Sequence, residues 1–369
     1  MPIHNLWLTE LATNSKGETL FFLPAFGYLL LIMGTAIFLI NNWGRVKEIG
    51  WGDKRIVGCL LFIVLAIALS GANADGWQGK IAPLGMGLAL LAVYLVARIL
   101  GKEMFLPLAV GAGIASLGVI VHGLMYRGEV TGGFVFEGNY DIVVGYVLLG
   151  TALFYHHKQW LLASLALFAM FLSGSPEAVF ACGVIAIIVL LRKDWSKKSI
   201  PIISSVIIMV IIWFGLGYGQ QLYSYTVDTV LLKPNPSLVS PNQSEEDKGN
   251  IESTIEYRAV VIKHAMSNLK PLGEGYNLTD FSKQPNVHNV PLVIAQQLGW
   301  PGILAGLAWL WVSLWCLIKT RLKYAWTLIL ALSVFDHYIW TELAPWWWCL
   351  VGIASASSLD RDYIFRKEV

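Results

Sequence analysis

Long apolar runs constrain the fold of this chain more than any other feature. Runs of about twenty residues recur along its length, and about 20 apolar residues make a helix that crosses a bilayer. Charged residues make up only 14% of the 369 residues, whereas soluble domains contain about 25%. The net charge of +2 gives no basic excess that would favour nucleic acid. We therefore predict an all-α polytopic membrane protein that contacts lipid and binds no nucleic acid.

The apolar runs are separated by polar, glycine-rich or proline-containing connections, so they can be counted. We predict about eleven spanning helices, with ten and twelve as the neighbouring counts, in one membrane domain over residues 1–369. The predicted segments are Leu20–Leu39, Ile56–Ala72, Ile81–Ile99, Met104–Met125, Asp141–Tyr155, Trp160–Leu172, Pro176–Leu191, Ile200–Tyr218, Val290–Leu317, Tyr324–Trp340 and Ala344–Ser358.

The distribution of lysine and arginine predicts the orientation, because short cytoplasmic loops carry an excess of both. The first connection contains Arg45, Lys47, Lys54 and Arg55, whereas the next contains Lys80 alone. The alternation continues along the chain and fits an odd number of helices. We predict a multi-pass membrane protein with its N-terminus outside and its C-terminus in the cytoplasm. The other basic connections contain Arg98 and Lys102, Lys158, Arg192 and Lys193, Lys197 and Lys198, Lys319, Arg321 and Lys323, and Arg361, Arg366 and Lys367.

One connection, residues 220–289, is long and polar and is predicted to be external. Its second half opens with Ser253 in an S-x-x-E capping box, continues with apolar residues at helical intervals, and ends at Pro271. This pattern predicts an amphipathic helix that lies on the outer membrane surface. The spanning segment that follows contains Gly299 and Pro301, which predict a break near its start.

Ionisable and amide residues gather at the predicted outer ends of the spanning helices. Polar groups within a membrane face protein or water and are functional candidates, so this gathering predicts an outward-facing polar chamber. Ordinary structural explanations exist: Glu177 suits a helix start, Arg127 suits a solvated loop, and Trp346–Trp348 suit an interfacial aromatic belt. The candidate substrate-binding residues of this group are Asn139, Glu177, Arg127, Asn289 and Asp336.

Two stretches near the end of the long connection contain recognisable motifs. One contains Arg258 and then Lys270–Asn277, with the sequence KPLGEGYN; the other contains His288-Asn289 and then Gln297–Gly302, with the sequence QLGWPG. Together they resemble motifs of the O-antigen ligase and polymerase family. The family has an arginine on an amphipathic helix, a P-L-x-G-x-G turn, and a histidine pair before a broken helix. The resemblance lies in the order, spacing and predicted external position of these motifs.

The chain departs from the family pattern at two places. Gln297 stands where the family usually has an acidic residue, and the stretch Ser173–Glu177 lacks an arginine that the family often has there. The second departure removes one of the two arginines that the family uses to bind phosphate. Arg127 and Lys263 are the candidate substitutes.

The resemblance implies a membrane-embedded glycosyltransferase of the GT-C type. Its donor would be a glycan on a polyprenyl diphosphate, and its acceptor a hydroxyl of a glycan, a lipid-anchored core or a protein. Arg258 would match the charge of the leaving diphosphate through its guanidinium fork. His288 would act as general base, since an imidazole titrates near neutral pH. No external acidic cluster offers the several oxygen ligands of a hard cation, so neither a metal nor a cofactor is expected.

Alternatives remain open at this point. A polymerase, a ligase and a protein O-oligosaccharyltransferase differ only in the acceptor hydroxyl. A transporter of a small solute or a lipid-linked sugar is an alternative from another class, because transporters also contain broken helices. An inactive partner in glycan export is a third alternative, since the family arginine is absent. Against a transporter, the sequence has no internal repeat and its polar groups collect on one side.

Overall fold

The computed structural model of this protein is helical over most of the residues that it describes. Those residues are 10–13, 19–22, 33–73, 76–125, 140–172, 263, 266–267, 269–273, 275, 289–320, 322–335, 339–341 and 343–357. Residues 33–41 are helical and lead into the first complete helix. The complete helices are α1 (Trp43–Ile49), α2 (Lys54–Ser70), α3 (Gly76–Leu100), α4 (Phe105–Met125), α5 (Tyr140–His156), α6 (Trp160–Leu172), α7 (Val290–Lys319), α8 (Lys323–Phe335) and α9 (Ala344–Ser357).

From residue 33 onward, each predicted spanning segment that the structure describes is a helix. Local signals set several ends: Gly50 ends α1 with a φ of 63°, and Asp53 accepts a hydrogen bond from Arg55 N at 2.8 Å to begin α2. One end differs, because α8 ends at Phe335 rather than at Trp340. The predicted spans Pro176–Leu191 and Ile200–Tyr218 lie outside the described residues, so the total of about eleven helices stays a prediction.

One exception to the all-α prediction lies near the N-terminus. Strands β1 (Glu10–Thr13) and β2 (Thr19–Phe22) form an antiparallel two-stranded sheet. β2 overlaps the start of the first predicted span. Threonine and phenylalanine favour strands, and the Asn-Ser-Lys-Gly run between the strands is typical of a turn. A short apolar run here therefore forms a hairpin, although the hydropathy pattern alone predicts a helix.

The outward surface of the helices is apolar. On α4, Leu106, Val110, Leu117 and Val121 share one face and are 47% to 72% exposed, while the opposite face is buried through small residues such as Ala112. Large exposed apolar surfaces mark contacts with lipid or protein, and small residues at helix contacts are typical of membrane bundles. These features are typical of an integral membrane protein.

Two stretches of the described chain, Lys80–Met125 and Val290–Lys319, are long and apolar enough to cross a bilayer. The first of them consists of two helices, because the 3-10 turn Gly101–Met104 divides α3 from α4 and Gly101 has a φ of 54°. A positive φ ends a helix and is favourable for glycine. The stretch therefore crosses as two helices rather than as one long helix.

One group of helix ends meets around Arg98, which lies near the end of α3. We call this group of helix ends the basic end. Arg98 is 1% exposed, and its guanidinium donates to Ile49 O and Gly50 O, each at 3.0 Å, and to Ser355 Oγ at 2.8 Å. The two carbonyls end α1, where the helix dipole favours a cation. No carboxylate among the described residues forms an ion pair with Arg98. This arginine is therefore a buried structural cation, although its position in the sequence is that of a cytoplasmic loop residue.

A second group of helix ends contains the start of α7 and the end of α8, and we call this group the kink end. Asn289 Nδ2, before α7, donates to Val334 O near the end of α8 at 3.3 Å. Gly123 of α4 lies so close to Leu172 of α6 that a Cβ there would contact the leucine. Among the described helices, α7 and α8 thus run in opposite directions, and α4 and α6 end on the same side. The side of the membrane that each end faces stays a prediction.

The prediction that Trp346–Trp348 form an interfacial belt is wrong, because all three lie in the core at 0% to 3% exposure. Trp347 Nε1 donates to Ser313 Oγ at 2.8 Å, and the Trp347 ring stacks on Trp309 with centroids 5.7 Å apart. A buried indole is stable when its N–H has a partner inside the protein. The exposed tryptophans among the residues whose side chains the structure describes are instead Trp43, Trp51, Trp300 and Trp311.

Candidate functional site

The start of α7 is fixed by Asn289, which directly follows the predicted base His288 in the sequence. Asn289 has an extended backbone, and its Oδ1 accepts a hydrogen bond from Leu292 N at 3.3 Å, which makes it the N-cap of the helix. Its Nδ2 donates to Val334 O of α8. Both polar atoms of the side chain therefore bind protein and hold the chain beside His288. The predicted substrate contact of Asn289 stays a prediction.

α7 is broken at Gly299, where the sequence predicts a break. Gly299 has φ 69° and ψ −143°, and Pro301 lies inside the same helix. Glycine adopts positive φ readily, and proline has no N–H for the helical hydrogen bond. Trp300 N donates instead to Pro271 O at 3.0 Å. The break therefore replaces a helical hydrogen bond with one to the long polar connection before α7.

The segment that fits into this break is a turn over residues 269–273, followed by Gly275. Gly273 N donates to Lys270 O at 3.1 Å and closes the turn, and Gly275 N donates to Gln297 O at 3.0 Å. Gly273 and Gly275 both have positive φ, at 73° and 105°. Together with the bond from Trp300 N, two backbone hydrogen bonds join the turn to the break. We call this contact, of residues 270–275 with residues 297–300, the glycine interlock.

The interlock brings two backbones too close for side chains. A Cβ at Gly299 would overlap the carbonyl oxygens of Lys270 and Pro271, and a Cβ at Gly273 would overlap the carbonyl of Gln297. The positive φ of each glycine adds strain for any other residue. The glycines of the P-L-G-E-G run and of the Q-L-G-W-P-G run therefore serve one contact, so the two family-like motifs are the two halves of one structural unit.

Gln297 lies at the centre of this unit and is 1% exposed. Its backbone carbonyl holds Gly275, and its side-chain Oε1 accepts a hydrogen bond from Trp340 Nε1 at 2.8 Å. Trp340 belongs to the short turn 339–341 between α8 and α9. Among the described residues, the Nε2 atom of Gln297 has no hydrogen-bond partner. A buried neutral amide here needs no counter-ion, whereas a carboxylate would be costly without one.

The structure describes two of the eight candidate site residues, Asn289 and Lys263. Lys263 is exposed and has helical conformation, at a position within the predicted surface helix. Among the described residues there is no group of three or more His, Cys, Asp or Glu side chains that would hold a metal ion. The candidates that lie outside the described residues are His288, Arg258, Arg127, Asp336, Glu177 and Asn139.

Sequence reasoning did not predict that Gln297 and Trp340 form a buried pair. Gln297 was recognised only as a departure from the family pattern, and Trp340 only as the end of an apolar segment. The signal that points to them is a polar residue beside a helix-breaking glycine, facing a tryptophan that needs an acceptor when buried. This signal requires knowing which helices are neighbours.

Comparison with known proteins agrees with the motifs. Residues 161–307 match the family model described as O-antigen ligase, and this range contains Arg258, His288 and both halves of the glycine interlock. No curated protein matches the chain. The family match indicates an enzyme of the glycosyltransferase kind that transfers glycan in surface polysaccharide synthesis. Together with the apolar helices, the match over residues 161–307 confirms the resemblance to the O-antigen ligase and polymerase family and indicates an integral membrane protein.

Proposed function

We propose that this protein is a metal-independent glycosyltransferase of the outer face of a bacterial inner membrane. It moves a glycan from a polyprenyl diphosphate to an acceptor hydroxyl. The observation that carries this proposal is the glycine interlock, which joins the connection that contains Arg258 to the helix that begins after His288. The family match over residues 161–307 supports the same conclusion.

The reaction forms a bond between the acceptor oxygen and the anomeric carbon and breaks the bond from that carbon to the diphosphate. His288 accepts the proton of the hydroxyl as general base. Arg258 binds the diphosphate, on which negative charge grows as it leaves, because a guanidinium is permanently charged and grips two phosphate oxygens. Charge placed in advance at such a position is among the strongest contributions to catalysis.

We assign the remaining candidates to substrate contact and positioning. Lys263, which is exposed and near Arg258 in the sequence, is our first choice for the second cation on the diphosphate, ahead of Arg127. Asn289 positions the chain beside His288 through its cap and its bond to α8. The residues proposed to line the chamber for the glycan are Asn139, Glu177 and Asp336.

The proposed arrangement in the membrane follows the predicted topology. About eleven helices span the bilayer in a GT-C-like architecture, residues 220–289 lie outside, and the kink end faces outward with the donor's diphosphate at headgroup depth. The basic end faces the cytoplasm, where lysine and arginine are favoured. The opposite directions of α7 and α8, and the shared side on which α4 and α6 end, support this arrangement.

The test is transfer by the purified protein in detergent, with a polyprenyl-diphosphate glycan as donor and with glycan, lipid-core and protein hydroxyls as acceptors. Wild type is expected to release polyprenyl diphosphate, with the same rate in EDTA. His288→Ala and Arg258→Ala are expected to lower the rate by about 10²-fold or more. Lys47→Ala, a basic-end variant, is the control for loss of a positive charge.

The outcomes separate the alternatives. Equal transfer by wild type and by both variants would show that the catalytic assignment is wrong. Loss of activity in EDTA, restored by Mg²⁺ or Mn²⁺, would contradict metal independence. If the wild-type protein transfers no glycan with any donor and acceptor, yet binds the donor, the transporter alternative would be favoured. The product that carries the glycan distinguishes polymerase, ligase and protein O-glycosylation.

A further inference from the structure

Gln297 joins three parts of the site that are far apart in the sequence. Its backbone carbonyl accepts a hydrogen bond from Gly275 N of the external connection, at 3.0 Å. Its side chain accepts one from Trp340 Nε1, at 2.8 Å, in the turn that follows α8. Its own peptide stands two residues before the break at Gly299. A single residue therefore sets the connection, the broken helix and the turn after α8 relative to one another.

The chemistry of the pair fixes which amide atom faces the tryptophan. An indole N–H can only donate, so the atom of Gln297 at 2.8 Å must be the oxygen, and the buried atom without a partner is the nitrogen. Burial at 1% exposure strengthens a hydrogen bond and raises the cost of losing it. The pair therefore acts as a firm connection, whereas an exposed pair would exchange with water.

We infer that Gln297, through Trp340, is a positioning residue for the transfer reaction. This inference rests on the proposed function. The connection that contains Arg258 is anchored at the interlock, and the helix that follows His288 runs to the same point. Gln297 thus fixes the distance between the group that binds the diphosphate and the group that takes the proton. It touches neither substrate nor the reacting atoms.

The test compares Gln297→Ala, Trp340→Phe, the double variant and Gln297→Glu in donor-dependent transfer, normalised to the folded fraction. Each of the first two is expected to lower kcat about ten-fold or more, because misplacement by about 1 Å costs up to about 10²-fold. The donor KM is expected to stay within about three-fold, since Arg258 remains. The double variant is expected to match the worse single variant, because the two residues act as one unit.

Two variants serve as matched comparisons. In Gln297→Glu the buried carboxyl has no counter-ion and is expected to stay protonated; its carbonyl oxygen then accepts the Trp340 N–H, so transfer per folded molecule is expected to stay within about three-fold of wild type. Trp326→Phe removes the same indole atoms from an equally buried tryptophan whose N–H has no partner. It is expected to leave kcat unchanged. A Trp326→Phe loss as large as that of Trp340→Phe would assign the effect to packing and overturn the inference.

A second measurement does not depend on activity. Trypsin cleavage after Lys263, followed by mass spectrometry, is expected to become faster in Gln297→Ala and Trp340→Phe but not in Trp326→Phe. If wild type transfers no glycan and cleavage still follows this order, the proposed function fails while the connection through Gln297 stands. Wild-type cleavage rates in both variants, additive losses in the double variant, or a loss confined to the yield of folded protein would overturn the inference.

Discussion

The basic end and the kink end of the bundle are stabilised by different chemistry. At the basic end, a buried arginine donates hydrogen bonds to the carbonyls that end α1 and to Ser355 of α9. At the kink end, the glycine interlock uses backbone N–H and carbonyl groups, with glycines where two backbones approach. One end uses a charged side chain to hold the fold, and the other is held by backbone shape.

This difference bears on where chemistry takes place. A charge that is buried and held by three hydrogen bonds, such as Arg98, is used in structure and does not reach a substrate. An interlock made of backbone leaves ionisable side chains near it available for a reaction, and its backbones approach so closely that no side chain larger than glycine's fits between them. Rigid support of this kind is what a reacting group needs. The comparison therefore supports our proposal that the reaction takes place at the kink end.

The largest expected effect comes from Gly299→Ala, which breaks the interlock. The added Cβ would meet the carbonyls of Lys270 and Pro271, and the φ of 69° is unfavourable for alanine. We expect transfer to fall by about 10²-fold or more, measured as release of polyprenyl diphosphate. Gly113→Ala is the control, since its Cβ would have no neighbour within 4 Å. Equal activity of the two variants would contradict the role of the interlock.

Arg98→Met is expected to produce the next largest effect, on stability rather than on catalysis. It leaves the carbonyls of Ile49 and Gly50 without their donor, and hydrogen bonds to charged groups contribute about 1.5–3 kcal/mol each. We expect the free energy of unfolding to fall by about 3 kcal/mol, measured by chemical denaturation in detergent. The exposed Arg55→Met is the control. Normal stability with lost transfer would reverse the comparison between the two ends.

The smallest effect is expected from Asn289. Replacing an N-cap asparagine by alanine costs about 1 kcal/mol, and Asn289→Ala also loses the bond to Val334 O. Asn289→Ser keeps a cap but not that bond, so it separates the two contributions. We expect thermal stability in the order wild type, serine, alanine. If serine and alanine variants are equally stable, capping contributes nothing at this position.

The sequence predicts the helices well because hydropathy over about twenty residues is a local property. The break at Gly299 is also local, since glycine and proline mark it. The end of α8 is different: the predicted span continues to Trp340, but α8 ends at Phe335, and Trp340 is hydrogen-bonded to Gln297 in another helix. A run of apolar residues does not reveal such a contact.

The features that the sequence did not predict depend on which helices are neighbours in the fold. In the sequence, Arg98 cannot be distinguished from the loop arginines. Only its contact with the end of α1 shows that it has a structural role. In the sequence, Trp346–Trp348 are typical of an interfacial aromatic belt. Their burial, and the hydrogen bond from Trp347 to Ser313, become evident only in the fold. The glycines of the interlock are recognisable in the sequence as parts of two motifs. That the two motifs contact each other can be seen only in the fold.

The proposed external position of the kink end can be tested most directly, by measuring on which side of the membrane it lies. In a chain without its four cysteines, Lys263→Cys and Lys54→Cys, both exposed in the structure, are treated on intact cells with a maleimide that cannot cross the membrane. We predict immediate labelling at position 263, and labelling at position 54 only after the membrane is opened. Labelling at position 263 only after opening would place the kink end in the cytoplasm and contradict the account.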